Sequence, residues 1–126
     1  MAFDPFIDKA LLDWVLQGAT PTRPGKTYLQ FATASPTTQS AFDGPFTSRM
    51  TVTFGAAASP AGSATNANAI TGPVPTAAAT CVGWNLYDAS AAGNRIAFGT
   101  LTAQIGCKSA TDNPAIPAGA LRITLA

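Results

Sequence analysis

The sequence contains no histidine and no glutamate, and only 10% of its 126 residues are charged. Soluble domains carry about 25% charged residues. The lack of histidine excludes Ser-His and Cys-His nucleophile pairs and imidazole metal sites. The acids are six aspartates, and a glycosidase needs two carboxylates placed across a cleft. We therefore expect a protein that has no enzymatic activity, no cofactor and no metal site.

The seven basic residues are scattered along the chain without a run. Such spacing cannot neutralise a series of phosphates, so nucleic acid is not expected as a partner. No apolar stretch reaches the roughly 20 residues that span a bilayer, and acidic residues stand where a signal peptide needs a basic end. We expect synthesis in the cytoplasm and no membrane partner. A weakly charged surface repels its neighbours little, which is typical of a protein that other protein covers.

The start of the chain predicts a helix over Pro5–Gln17. Asp4 suits the N-cap, Pro5 the first turn, and Gly18 the position just past the C-terminus. At 100° per residue the apolar side chains extend well round the cylinder. Either the helix lies in a groove of its own domain, or part of it meets a neighbouring subunit. The candidate assembly-interface residues are Phe3, Phe6, Leu12 and Leu16.

After Gly18, short runs of β-forming residues alternate with Pro, Gly, Thr and Ser. Strands are predicted at residues 27–33, 47–54 and 121–125, with a weaker one at 67–71 and an edge or connection at 72–76. This pattern predicts a mainly β fold, a single antiparallel β-sandwich, jelly-roll-like or Ig-like, with one N-terminal α-helix. The arm and helix of residues 1–18 and the sandwich of residues 19–126 are expected to pack as one domain.

The central part of the chain predicts a β-hairpin formed by residues 80–89 and 94–104, with a loop at 90–93. If Ala89 faces Asn94, paired positions sum to 183. Trp84 then lies opposite Gly99, and Leu86 lies opposite Ala97. In the same register Val82 faces Leu101, Cys81 faces Thr102 on the other side of the sheet, and Cys107 lies beyond the paired region. A disulfide across the hairpin is therefore disfavoured unless a bulge shifts the register.

The remaining polar candidates have simple structural interpretations. Asp43 and Asp112 stand in turn sequences, where Asp bonds the backbone, and calcium binding is the alternative. Two cysteines do not make a four-ligand zinc site. Cys81 and Cys107 are expected to be buried and unpaired, with an intersubunit disulfide in an oxidising medium as the alternative.

Taken in order, several segments resemble a family of small bacteriophage virion structural proteins labelled tail-fibre-like, some of which are capsid decoration or cement proteins. The segments are LLDWVLQG, TYLQFATASPT, RMTVTFGAA, SATNANAI, VGWNLYDASAAGN with GTLT, and IPAGALRITLA. Family members often carry an acidic residue and a Gly-Tyr-Ala-Arg stretch before the strand that is MTVTF here. This chain has GPFTSRM at that place, so only Arg49 could correspond.

The resemblance implies a virion protein on the capsid surface, made in the bacterial host and present in many copies. The expected partners are the major capsid protein and further copies of the chain, as a homotrimer. The first functional hypothesis is a decoration protein that stabilises the head by bridging major capsid protein subunits. The alternative is a tail or fibre component that contacts the host receptor.

Overall fold

The computed structural model describes residues 1–21, 24–58, 62–107 and 112–124. Within these ranges the chain forms one helix and nine strands, and every strand pair is antiparallel. In chain order they are β1 (Ala2–Phe3), α1 (Pro5–Gln17), β2 (Thr27–Ala32), β3 (Met50–Val52), β4 (Ser63–Thr65), β5 (Ile70–Thr71), β6 (Ala79–Tyr87), β7 (Arg95–Cys107), β8 (Ala115–Ile116) and β9 (Arg122–Thr124). The mainly β class, the antiparallel sheets and the N-terminal helix are confirmed.

The largest sheet has five strands in the order β1-β7-β6-β2-β3. Two short ribbons, β4-β9 and β5-β8, lie outside it. A single apolar cluster joins the sheet to the ribbons, because Phe31 and Trp84 of the sheet belong to the same core as Ile70 and Ile116 of one ribbon. The arrangement is sandwich-like, with a second layer made of two ribbons.

The hairpin of β6 and β7 has the predicted register at its centre. Trp84 pairs with Gly99, and Leu86 pairs with Ala97. A Cβ built on Gly99 would lie 2.7 Å from the indole Cζ2 of Trp84. The glycine is therefore required by the ring that lies across it.

The predicted register of the β6-β7 hairpin holds only between two shifts, one between Cys81 and Gly83 and one between Leu86 and Tyr87. Towards the open end, the shift between Cys81 and Gly83 leaves Val82 outside the ladder, so the predicted pair of Val82 with Leu101 is wrong. Cys81 pairs with Ile105 instead of Thr102. Bulged residues of β7 absorb the difference, since a bulge sets extra residues against one partner.

The same bulge brings Cys107 into the ladder, opposite Ala79, whereas the sequence placed it beyond the paired region. At the turn end the pairing of Ala89 with Asn94 is also wrong. There Asp88 N donates to Asn94 O over 3.0 Å, and Asp88 Oδ1 accepts from Asn94 N over 2.7 Å. An aspartate that binds the backbone across the loop sets the turn one residue away from the predicted position.

The other strands are shorter than predicted. Residue 33 lies outside β2, residues 47–49 precede β3, residues 67–69 precede β5, and residue 121 precedes β9. Residues 72–76 form the predicted connection, in which Gly72 N donates to Pro114 O. Leu125 lies outside the described residues. The two-residue strands β1 and β8 and the three-residue β4 were not predicted, because so few residues show no periodicity.

Candidate assembly surface

Helix α1 begins as the sequence predicts. Asp4 is extended, with φ −71° and ψ 145°, and its Oδ1 accepts from Phe6 N over 3.2 Å. Such a cap satisfies one of the backbone donors that a helix leaves free at its N-terminus. Asp4 N also donates to Ile96 O over 2.8 Å, so the first turn is bonded to the sheet.

The helix ends at a left-handed glycine. Gly18 has φ 71°, and its N donates to Trp14 O, while Ala19 N donates to Asp13 O. This pair of bonds is the usual glycine C-cap. Lys9 and Asp13 form an ion pair one turn apart along the helix surface. Local chemistry alone therefore accounts for both bounds of α1.

Several large apolar side chains of α1 are largely exposed in the described chain. No residue of the helix is buried. Leu12, Val15 and Leu16 are 58%, 70% and 75% exposed, and at 100° per residue they share an arc of about 100°. We call these three side chains the outer face. Large apolar side chains grouped on one face normally mark a contact with another molecule.

The apolar side chains in the second half of the helix are more exposed than those in the first half. Ile7 and Leu11 are half-buried on the side towards the domain, and α1 contacts β7. Trp14 shares that side, yet it is 53% exposed. Beyond the second turn, each large apolar side chain of the helix is therefore more than half exposed.

The four predicted interface residues separate into two groups. Phe6, Leu12 and Leu16 are exposed. Phe3 lies in β1, where it pairs with Ala97 and packs partly buried against the core. Pairing turns its side chain towards the interior of the sandwich, so the structure removes Phe3 from the candidate surface.

The base of the helix is fixed by Arg95, which the sequence did not single out. Its side chain is 9% exposed, and Nε lies 3.0 Å from Asp4 Oδ2, the second oxygen of the N-cap carboxylate. Nη1 donates to Ser40 O and to Asn85 Oδ1, each over 3.0 Å, and Nη2 donates to Thr37 O. One guanidinium therefore holds the start of α1, strand β6 and the loop after β2 together.

That loop covers the face of the sheet opposite the apolar core. Asn85 Nδ2 donates to Ala41 O over 2.8 Å and to Asp43 Oδ1 over 3.0 Å. Burial raises the pKa of Asp43 above its ordinary value, although the bond from Asn85 opposes the shift. The loop presents Phe42 at φ 55° with the residue 44% exposed. A positive φ is unusual for a bulky residue and is kept only where surrounding bonds fix it.

Asp43 stands in a turn, as predicted, and Phe46 N donates to its backbone O there. Its side-chain Oδ1, however, accepts from the side chain of Asn85, whereas a bond to the backbone was expected. Cys81 and Cys107 are buried and form no disulfide with each other. Cys81 Sγ donates to Gly83 O over 3.5 Å, and burial raises the pKa of the Cys81 thiol to about 12. Across the described ranges, no cluster of Cys, Asp or similar groups could hold a metal ion. In the same ranges no helix is both long and apolar enough to cross a bilayer.

Comparison with known families gives a match that covers almost the whole chain. Residues 3–124 match the family model described as Podophage GP4 fiber I protein gp80. The chain belongs to this family. It is therefore a phage structural protein of the fibre type. No curated protein matches it.

Some of the surface could not be found from sequence. Val15 and Trp14 were not among the predicted interface residues, and only their exposure of 70% and 53% in the structure adds them. Arg95 and Asp4 are 91 residues apart in the chain, so no local pattern connects them. The sequence did identify Asp4, because it stands at the predicted N-cap of α1, but it did not identify Arg95 as the partner of Asp4.

Proposed function

We propose that this protein is a non-catalytic structural subunit of a podophage fibre, attached to a neighbouring virion protein through the outer face of α1. The observation that carries the proposal is a capped helix, anchored at its base, whose outer face is largely exposed within the described chain. The family description names a fibre protein, which favours the fibre over other places on the particle.

The energetics suit attachment by burial. Full burial of a large aliphatic side chain contributes about 1.5–3 kcal/mol, and the outer face supplies three such side chains. Only part of this gain becomes affinity, because association costs translational and rotational freedom. Anchoring of the helix base by Arg95 reduces that cost, since the helix does not have to be ordered when it binds.

Capsid decoration is the second candidate. The observation that favours it is the sparse charge of the chain, because a protein packed between capsid subunits needs little charge repulsion from its neighbours. The major capsid protein would then be the partner. The family description names no capsid role, so we place this candidate after the fibre.

Stoichiometry and position on the particle separate the two candidates. We expect quantitative mass spectrometry of purified virions to give a copy number that is a small fraction of the major capsid protein. Gold-labelled antibodies should bind fibres in electron micrographs. A copy number close to that of the major capsid protein, with label spread over the head, would replace the fibre proposal with decoration.

A further inference from the structure

A second apolar surface lies on the open end of the β6-β7 hairpin. It is a groove of about 400 Å³ between the bulged part of β7 and the chain around β8 and β9. We call it the distal groove. Its apolar lining includes Met1, Trp84, Leu101, Ile105, Ile116 and Leu121.

The distal groove and α1 lie at opposite ends of the same hairpin. Strand β1 runs antiparallel to β7. It ends beside Ile96 of β7, and α1 begins there. Alongside, Phe6 and Ala10 line a cleft with Asp88 and Asn94 of the hairpin turn. The groove is on the order of 20 Å away along β7, at about 3.3 Å per residue. A helix therefore cannot reach the groove of its own copy, but it can meet the groove of a copy placed end to end.

Charge also favours this pairing. The last turn of α1 contains no basic residue, so the partial negative charge of the helix C-terminus is not compensated within the helix. Arg122 is exposed at the rim of the distal groove. Arg122 takes no part in the ion pairs of Lys9 and Arg95, and its exposed guanidinium can interact with a partner.

We infer that the occupant of the distal groove is α1 of a second copy of this chain. The outer face of the helix enters the groove, and the helix C-terminus lies beside Arg122. The contact joins two different surfaces, so copies assemble head to tail, as a closed ring if the rotation closes and as a filament if it does not. This assignment rests on the proposed function, because it names the neighbour to which the outer face attaches.

Complementation between two variants tests the assignment. Leu16→Asp places a charge on the outer face, and Ala120→Asp places one in the distal groove, where Ala120 is an exposed lining residue. In analytical ultracentrifugation we expect the wild-type chain to self-associate and each variant alone to be monomeric. An equimolar mixture should form a complex of one copy of each, since one intact helix and one intact groove remain.

Three results would overturn the assignment. The first is a monomeric wild-type chain at the concentrations used. The second is self-association of Ala120→Asp as in the wild type, because the helices would then pair with each other. The third is a mixture that stays monomeric while both variants keep the near-ultraviolet circular dichroism of the wild type. If Ala120→Asp does not fold, Ala103→Asp on the opposite wall replaces it.

A charge reversal supplies an independent measurement. We expect Arg122→Glu to weaken self-association about tenfold, with the loss shrinking at high salt, because it replaces attraction to the helix terminus by repulsion. Lys26→Glu is the matched control, since Lys26 is also exposed but lines neither surface. Equal effects of the two reversals would contradict the inference. A monomeric chain that is nevertheless found in fibres would overturn only the self-pairing and leave the proposed function intact.

Discussion

Helix α1 and the β6-β7 hairpin carry their large apolar side chains in opposite environments. Trp84 and Leu86 of the hairpin are 4% and 3% exposed, whereas Leu12 and Leu16 of the helix are 58% and 75% exposed. The hairpin is stabilised by its own domain, and the helix is stabilised by its caps and its anchored base. Apolar residues that do not contribute to the fold of the domain are available to bind something else.

The largest expected difference between the hairpin and the helix is in the rate at which their cysteines react with a thiol reagent. Cys81 is completely buried, and its pKa is raised to about 12. We expect a thiol reagent at pH 8 to label the two native cysteines at least about a thousandfold more slowly than a cysteine introduced by Leu16→Cys, because core groups react only after unfolding. Labelling followed by mass spectrometry measures both rates. Comparable rates, or a disulfide-linked ladder on a non-reducing gel of the wild type, would contradict the contrast.

Removal of Arg95, which joins the base of α1 to the hairpin, should have the next largest effect. Arg95→Ala leaves the acceptor groups of Asp4 and Asn85 without their charged donor. We expect the free energy of unfolding to fall by about 3 kcal/mol, since bonds to a charged group contribute about 1.5–3 kcal/mol each and are partly replaced by water. Chemical denaturation measures this loss.

The control for this variant is Lys26→Ala, which removes an exposed basic residue that lines neither apolar surface. It should change the stability by less than about 0.5 kcal/mol. If the two variants lose the same stability, Arg95 does not hold the base of α1.

Within the hairpin, a single added methyl group tests how tightly the strands pack. Gly99→Ala would place Cβ 2.7 Å from a ring atom of buried Trp84, and we expect a loss of about 2 kcal/mol from overpacking. Gly106→Ala in the same strand is the matched control, because nothing lies within 4 Å of its Cβ position. A Gly99 variant as stable as the Gly106 variant would show a hairpin less tightly packed than described.

The smallest expected effect on stability is on the outer face of the helix. Leu16→Asp should change the free energy of unfolding by less than about 0.5 kcal/mol, because the side chain contacts little that it could lose. Thermal unfolding followed by circular dichroism measures the change. A loss above about 2 kcal/mol would mean that the helix is part of the core.

The sequence predicts the parts of this molecule that depend on near neighbours. The bounds of α1 follow from Asp4, Pro5 and Gly18, which act within one turn of where they stand. The pairing of Trp84 with Gly99 follows from alternation and from the need for space beneath an indole. Both predictions use contacts that one segment makes with itself or with the next.

Features that depend on distant segments were not predictable in this way. The bulge that sets Cys81 opposite Ile105 has no local signal, and neither does the short strand β1, which turns Phe3 into the core. The exposure of Val15 depends on where the sheet ends relative to the helix. An amphipathic pattern identifies which side chains need cover but not which surface supplies it.

The central claim is that the outer face of α1 attaches the protein to the virion and has no role in its own fold. Its most direct test is incorporation of Leu12→Asp into particles produced in infected cells, with Val74→Asp, another exposed apolar residue, as the control. The account predicts that both variants fold and that only Leu12→Asp is missing from purified virions. Equal incorporation of the two variants would contradict it.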